Sequence, residues 1–482
     1  MHTICYTENM ETDKLIQKLR KKRMLLKLNS LLKTQTSDIW LVGGCIRDTF
    51  LGIKTNDYDI AVTKNAYDLS RFLAKKLKGN PFPLDRKMGE FRIMLPRKRT
   101  IDIKPIEEIT EDMKERDFTI NAIAFNLKDL KRLYDPFNGI RDLKRKSIVP
   151  INNLVFIKDS LRILRMFRFA STRSFTISKK AMELAKESVK KIDKVANERV
   201  RTEFFLLMEN QKSYFYLKKM DSIGLIAELF PEVEKGKSIP QSKYRSKNLK
   251  EHLFVCYDIM EKIIEEKRYR VFEDFVPLFE KFINKHLVML KLAALLHDIG
   301  KIYTMKKDAS GATHFYMHEK KGELRLKRYY QHRFSLSNKE VEILSLLILH
   351  HMRASLLSRV DRITDHALYR FMKDGKEAIP GILLLSYADC ISSSGGGKEV
   401  RKAEKTIRTI IEYYAVSIKV KARKKLITGY DLIEKFGLEP GPLFKTILEK
   451  VEKANIEGKI KNKKETFRFV KEILARSQKK IL

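Results

Sequence analysis

Leu41-Val42-Gly43-Gly44-Cys45-Ile46-Arg47-Asp48, followed one turn later by Asp57-Tyr58-Asp59, decides how this chain is read. Trp40-Leu41-Val42 is a short apolar run that two glycines interrupt, the pattern of a strand ending in a tight turn. Beyond the glycines the sequence reads as a helix start. Glycines at such a turn let backbone N–H groups come close to a phosphate. A helix N-terminus adds partial positive charge, and Arg47 can add charge-assisted hydrogen bonds. The spacing fits neither a Walker loop nor a dinucleotide fingerprint. After the polar turn 54–56, Tyr58, Ile60 and Val62 alternate with Asp57, Asp59 and Ala61, which predicts a strand. Alternate strand residues share a face. Asp57 and Asp59 therefore stand side by side and repel each other unless a cation lies between them, and hard oxygen ligands favour Mg²⁺. Alone, Gly-Gly is a turn and Asp-x-Asp a solvated strand edge; together in one short unit they predict a metal-assisted phosphoryl-transfer site.

Working outward, residues 10–36 have leucines at helical spacing (Leu15, Leu19, Leu25, Leu26, Leu28, Leu31, Leu32), which predicts one amphipathic helix. Residues 66–78 also read as helix. Residues 91–95 and 100–103 read as a hairpin, in which Asp102 is a candidate third carboxylate beside the metal. From 155 onward helical periods follow one another: 156–170, 178–190, 197–209, 213–229, 249–266, 274–297, 316–330, 338–352, 366–373, 379–391 and 399–416. Asp159, Arg162, Arg165 and Arg168 recur every third residue, so a single helix keeps them along one slowly drifting face. The polar stretch 236–246 is the expected domain boundary, and 392–397 (Ser-Ser-Ser-Gly-Gly-Gly) reads as a flexible loop. The tail has a helix start near Thr428 and a turn at Glu439-Pro440-Gly441-Pro442.

The 482 residues suffice for about three domains. Lys plus Arg number 99 against 61 Asp plus Glu, a net charge of +38, which is the footprint of a polyanion-binding surface. The four cysteines, Cys5, Cys45, Cys256 and Cys390, lack zinc or redox spacing, as expected in a reducing compartment. No signal-peptide pattern and no apolar run long enough to span a membrane are seen, so a cytoplasmic location is expected.

The segment Leu-Val-Gly-Gly-Cys-Ile-Arg-Asp-Thr-Phe-Leu-Gly-Ile-Lys-Thr-Asn-Asp-Tyr-Asp-Ile closely resembles the first motif of the class II tRNA nucleotidyltransferases and bacterial poly(A) polymerases. The resemblance continues in order. Arg116-Asp117-Phe118-Thr119-Ile120-Asn121-Ala122 looks like the family's ribose-reading motif, and 135–143 (Asp-Pro-Phe-Asn-Gly-Ile-Arg-Asp-Leu) like its hinge motif. Asp159-Ser160-Leu161-Arg162 looks like its base-reading motif, and Glu198-Arg199 matches its following helical motif. The resemblance implies that Gly43, Gly44 and Arg47 hold the triphosphate and that Asp57 and Asp59 hold Mg²⁺ and carry catalysis. It further implies that Arg116 contacts the nucleotide with Asp117 near the ribose. Asp159 and Arg162 would imitate a template base that selects CTP or ATP, while Arg165 and Arg168 reach the triphosphate. Two positions depart from the family pattern. Lys158 stands where Glu is usual before the base-reading Asp, and Glu115 stands where the family has the first Arg of Arg-Arg-Asp.

A second constellation begins at His297-Asp298, after the apolar run 290–296 and before Ile299-Gly300-Lys301. An adjacent imidazole and carboxylate can ligate one metal. His252 precedes the pair, and His318, His350-His351 and Asp389 follow it. The pattern resembles the HD phosphohydrolase superfamily, which assigns His252, His297, Asp298 and Asp389 to one metal site and makes His318 and His351 candidates for a second. The metal is open between Mn²⁺, Ni²⁺, Fe²⁺ and Mg²⁺, and the implied substrates are phosphate esters. The tail resembles the helical segment found beside HD domains in these enzymes, and its basic stretch 459–464 is a candidate tRNA contact.

The expected fold class is therefore α+β and mostly helical: a polymerase-beta-like head with a small sheet, a helical neck, an all-α HD domain and a helical tail. The expected parts are an N-terminal helix (1–37), the head (38–150), a neck that binds nucleotide and RNA (151–235), the HD domain (236–420) and the basic tail (421–482). The expected activity is template-independent addition of CTP- or ATP-derived nucleotides to the 3′ end of tRNA or another RNA, releasing pyrophosphate, with no membrane partner. Poly(A) polymerase, CC-only and A-only enzymes share this chemistry. An HD phosphohydrolase with a non-catalytic RNA-binding head, and a purely RNA-binding protein, are the alternatives of other classes.

Overall fold

A computed structural model describes residues 10–241, 246–394, 396–422 and 425–478, the side chains of 421–422 and 476–478 excepted. Cys5, residues 242–245 of the expected boundary and Gly395 of the expected loop lie outside this set. The chain divides into two compact units, Met1–Glu228 and Leu229–Leu482.

The first unit is built on a seven-stranded sheet: β1 (Ile39–Val42), β2 (Asp57–Val62), β3 (Asn80–Asp85), β4 (Glu90–Leu95), β5 (Arg99–Pro105), β6 (Ala124–Asn126) and β7 (Leu133–Tyr134), in the order β3-β4-β5-β2-β1-β6-β7. Within this sheet only β2 and β5 pair in parallel. β4 and β5 form the expected hairpin. β3 was not expected: Asn80-Pro81-Phe82-Pro83 carries two prolines, which confine a strand to an edge, and there β3 lies exposed. Tyr58, Ile60 and Val62 are buried on one face of β2. On the other, Ala61 joins a core of Trp40, Val42, Ile109, Met113, Ala122, Ala124 and Tyr134. Asp57 and Asp59 share the Ala61 face at the open end of that core.

The N-terminal segment forms two helices, Met10–Arg20 and Arg23–Leu32, rather than one. Leu19 to Leu25 is a step of six, which breaks the three-to-four rhythm. Interrupting the helix near Lys22 lets Leu15 and Leu19 as well as Leu25, Leu28 and Leu32 stay buried. The segment expected as one helix over 156–170 is likewise two, Val155–Lys158 and Leu161–Arg173, broken at an extended Asp159.

In the second unit, helices Leu249–Glu265, Val276–Leu296, Asn338–Leu357 and Ile379–Ser394 pack around one core. Ser392, Ser393 and Ser394, expected in a flexible loop, are helical. The Ser392 and Ser394 hydroxyls donate to the backbone carbonyls of Asp389 and Cys390 (2.8 and 2.7 Å), which satisfies them inside the helix. The tail helices Gly429–Phe436, Pro442–Ile456 and Lys463–Gln478 enclose a core of their own around Leu432, Ile447, Val451 and Val470. No described helix is long and apolar enough to cross a membrane.

Candidate active sites

Gly43 carries the turn between β1 and the short helix Gly44–Phe50. Its φ of 69° is left-handed, and a Cβ there would lie 3.1 Å from Arg116 Nη1 and 3.4 Å from Asp59 Oδ2. Only glycine suits both the conformation and the close approach. The main-chain pairing of Val42 with Asp59 sets the carboxylate beside that turn. Asp57 lies two residues earlier on the same face, and its Oδ1 accepts from the Thr100 hydroxyl (2.7 Å) on the neighbouring strand. Burial pushes the Asp59 carboxyl above its ordinary value, as do Asp102 and Asp57, while Arg116 pulls it down. A buried carboxyl crowded by two others is a site that a divalent cation relieves. Asp102 itself is opposite Asp59 on β5, but Arg92 holds it in a two-pronged ion pair (2.6 Å for each prong). That neutralises the candidate third carboxylate.

All the expected nucleotide-site residues line one cavity of about 480 Å³: Gly43, Gly44, Arg47, Asp57, Asp59, Arg116, Asp117, Asp159, Arg162, Arg165 and Arg168. Most of their charges are already paired. Arg47 is buried, donates to Asn121 Oδ1 (2.6 Å), pairs with Asp48 (2.9 Å) and stacks on Phe169. Arg116 uses Nε and Nη2 on Asp112 (3.1 and 2.7 Å). Although burial pushes the Asp112 carboxyl up, Arg116 and Lys104 outweigh it and hold it below its ordinary value. Asp117 is fully enclosed and would rise on that account. Arg165 at 2.9 Å, Asn121 and the Phe118 N–H instead hold it low. Arg168 is paired with Glu203 and lies over Phe169. Asp159 is not on the helix of the arginines. It stands just before it, capping Leu161 N–H with Oδ1 (3.1 Å) and pairing with Arg199 through Oδ2 (2.9 Å). Arg162 donates to the backbone carbonyls of Glu115 (2.7 Å) and Arg116 (3.3 Å).

Sequence reasoning missed Asp112 and Glu203 and gave Asn121, quoted within a motif, no role of its own. Their role is to hold arginines, and no local pattern marks it. The two departures from the family pattern meet: Lys158 Nζ donates to Glu115 Oε1 at 2.7 Å.

In the second unit, four imidazoles and two carboxylates converge. His252 Nε2 lies 3.3 Å from His297 Nε2, 3.5 Å from Asp298 Oδ2 and 3.3 Å from Asp389 Oδ1. His318 Nε2 lies 3.0 Å and His351 Nε2 3.4 Å from Asp298 Oδ1. Asp298 thus faces one histidine pair with each oxygen, and His252–His297–Asp298 and Asp298–His318–His351 each offer ligand atoms close enough to share one ion. His350 is in neither group of close ligand atoms. Burial disfavours the charged form of His252, His297 and His318, and it takes His297 below its ordinary value. His252, beside both Asp298 and Asp389, is nonetheless pushed up to about 9. So many polar atoms buried around one carboxylate fit divalent cations better than any apolar packing role. Gly300 makes the cluster reachable: a Cβ there would stand 1.8 Å from the His318 carbonyl oxygen, so only glycine lets the His318–Arg325 helix close over the His297-Asp298 turn. Lys301, quoted in the sequence without a role, is buried with Nζ 2.5 Å from Asp298 Oδ2.

A glycine turn over two strand carboxylates, in a sheet whose one parallel pair carries them, defines a polymerase-beta-type nucleotidyltransferase head, and the histidine–aspartate cluster defines an HD domain. Comparison with known proteins agrees region by region. Residues 39–106 and 96–149 match the family described as "Poly A polymerase head domain". Residues 174–236 match "Probable RNA and SrmB- binding site of polymerase A", 243–394 "HD domain" and 361–470 the second domain of tRNA nucleotidyltransferases. The chain is 27% identical over 441 residues to the A-adding tRNA nucleotidyltransferase of Deinococcus radiodurans, covering 89% of this chain and 94% of that one. It is 35% identical over 194 residues to the CC-adding tRNA nucleotidyltransferase of Geobacter sulfurreducens, covering 40% and 45%. Its fold is that of the Thermotoga maritima CCA-adding enzyme complexed with tRNA (TM-score 0.66, 22% identity, 96% and 98% covered). The chain belongs to the class II tRNA nucleotidyltransferase and poly(A) polymerase family and carries that family's HD domain.

Proposed function

We propose that this protein adds nucleotides from CTP, ATP or both to the 3′ end of tRNA without a template, in the cytoplasm. One observation carries the reading: Asp57 and Asp59 stand on one face of β2, beside the Gly43 turn, in the cavity that also holds the arginines. The 3′-hydroxyl oxygen bonds to the α-phosphorus of the incoming nucleotide, the α–β anhydride bond breaks, and pyrophosphate leaves. Asp57 and Asp59 would hold Mg²⁺, which when bound supplies charge neutralisation at the α-phosphate and the leaving group. Arg47 and Arg116 flank the turn and orient the triphosphate. Asp159 would offer the base a remaining lone pair and Arg162 its remaining N–H donors, each held in place by the partners described above. Arg165 and Arg168 keep the neck helix charged against the phosphates. The relatives' names support the reading, being tRNA nucleotidyltransferases of the A-adding and CC-adding kinds.

We also read the HD domain as a phosphohydrolase centre. His252, His297, Asp298 and Asp389 would hold one divalent cation, with Mn²⁺, Ni²⁺, Fe²⁺ and Mg²⁺ all suited to the donor set. His318 and His351 would complete a second site across Asp298. Such cations supply Lewis acidity for opening a phosphate ester with water, yielding alcohol and phosphate.

The test is incorporation of radiolabelled CTP and ATP, supplied singly, into tRNAs ending before, within and after the CCA terminus. Asp57→Ala and Asp59→Asn should each lower incorporation by about 10³-fold or more. Unchanged incorporation in Asp57→Ala would sink the transferase reading. Phosphate release from esters, lost in His297→Ala, tests the second centre separately.

A further inference from the structure

Asp389 has two sides. Its Oδ1 faces His252 and His297 (3.3 and 3.8 Å). The residue also lines a separate cavity of about 460 Å³, closed by the start of the Lys398–Ala422 helix and the end of the Asn338–Leu357 helix. Arg359, Lys398 and Lys402 rim this cavity, and among the described residues none of the three has an ion-pair partner. Lys398 and Lys402 are one helical turn apart and face the same way. Among the described residues, Glu399 is the only acid on the rim besides Asp389. Apolar walls come from Met352, Ala403 and Ile407, while Ser393 Oγ donates to Asp389 Oδ1 (3.3 Å) at the floor. A cavity of nucleotide size thus has a prospective metal ligand at one end, unpaired cations around it and an apolar flank.

We propose that this cavity is the substrate site of the histidine–aspartate centre, and that it takes a nucleotide-sized phosphate ester bearing a second phosphate. The ester phosphate lies at Asp389, the second phosphate on Arg359, Lys398 and Lys402, and the nucleoside body against Met352 and Ile407. Arg359, Lys398 and Lys402 stand exposed at the rim, and a second phosphate gives them charge-assisted bonds that a single phosphate at Asp389 leaves unmade. The proposal rests on the phosphohydrolase reading of this centre.

Cys390 lines the same cavity and is half-buried, whereas Cys45 and Cys256 are buried elsewhere. The rate of Cys390 alkylation by iodoacetamide therefore reports occupancy of this cavity and not of the transferase site, with the two buried cysteines as internal controls for folding. Using the full chain loaded with Mn²⁺, adenosine 3′,5′-bisphosphate should slow Cys390 alkylation about fivefold or more, at a concentration where adenosine 3′-monophosphate slows it less than twofold. Arg359→Gln with Lys402→Gln should raise the half-protecting bisphosphate concentration by about tenfold, while Lys402→Arg should retain protection. Equal protection by the two nucleotides, or protection indifferent to the charge-removing pair, overturns the proposal. Release of phosphate from p-nitrophenyl phosphate is measured on the same samples. Hydrolysis without selective protection refutes the subsite alone, and selective protection without hydrolysis supports the subsite while refuting the phosphohydrolase reading.

Discussion

Glu115 and Lys158 each depart from the family pattern, and they depart toward each other. Where the family has Arg and Glu, this chain has Glu and Lys, with Nζ and Oε1 at 2.7 Å. The charge is reversed at each position, and in this chain the two residues pair with each other. At 2.7 Å Coulomb's law in water gives about 1.5 kcal/mol. The side chains are 43% and 58% exposed, and with entropy and screening the pair stabilises by about 0.2–1 kcal/mol. Glu115 matters beyond that, because its carbonyl accepts from Arg162, the proposed base-reading donor. Lys158→Glu replaces the attraction with a repulsion of similar size. It should therefore move the 115–116 carbonyls that Arg162 grips, lowering kcat/KM for nucleotide addition by about 5–30-fold, the equivalent of about 1–2 kcal/mol. Glu115→Arg should do the same by placing Arg beside Lys158. The double variant Glu115→Arg/Lys158→Glu restores an opposite-charge pair and should recover to within about threefold of the parent. The assay is a double-mutant cycle on kcat/KM, run with CTP and with ATP. A coupling energy below about 0.3 kcal/mol, meaning simple additivity, would refute the claim that the two departures compensate each other.

Other expectations follow from single contacts. Arg165→Ala leaves Asp117 enclosed without its cation. Breaking a buried pair costs about 3–5 kcal/mol, discounted to about 2–4 because Arg165 is 34% exposed, so calorimetry should show the transition of the first unit lowered by roughly 5–15 °C at neutral pH. Asp117 titrates low in the parent, so its stabilisation is present above the ordinary carboxylate range and fades as pH falls through its depressed value. In the variant its carboxyl rises, so the gap to the parent should narrow between pH 7.5 and about pH 4; a gap that widens instead refutes the assignment. Gly300→Ala drives a Cβ into the His318 backbone. It should lose at least half of the bound Mn²⁺ by elemental analysis while nucleotide addition stays within about twofold, and full metal retention would contradict the packing argument. Arg116→Lys should lower nucleotide addition by about 10²-fold with little change in melting temperature, as expected where a forked donor serves two partners; activity near that of the parent would show that the second prong is idle.

The first site was legible because its signals are local. Two glycines break an apolar run, and a period of two puts Asp57 and Asp59 on one face whatever the rest of the chain does. The second was legible as an inventory, since His297-Asp298 and its partners stand out by type. That Asp298 divides its oxygens between two histidine pairs depends on how four helices cross, and no spacing in the sequence states it. The same limit explains Asp159. Its three-residue interval from Arg162 reads as a shared helix face, yet its carboxylate caps the next helix and pairs with Arg199, 40 residues on, and that tertiary competition broke the helix. β3 escaped notice because prolines argue against strands everywhere except at an edge, and edges are a property of the sheet.

The arginines of the nucleotide cavity are better understood as held than as free. Arg47 has Asp48, Arg116 has Asp112, Arg165 has Asp117, Arg168 has Glu203 and Arg199 has Asp159. Pairing each cation with a protein acid looks self-defeating in a site meant for polyphosphate. The geometry of guanidinium resolves it, since five N–H donors in a rigid fork allow one edge to be anchored while the other stays available. Arg116 shows the division: Nε and Nη2 go to Asp112, and Nη1 is the atom a side chain at position 43 would strike. The acids fix the rotamers before any nucleotide arrives, so little side-chain freedom remains to be lost on binding. They also keep five cations from repelling one another across a cavity of about 480 Å³. Such a lattice favours binding by orientation more than by net charge, and under the proposed roles of Asp159 and Arg162 the choice between CTP and ATP would rest on the groups that hold them in place, Arg199 for Asp159 and the carbonyl of Glu115 for Arg162.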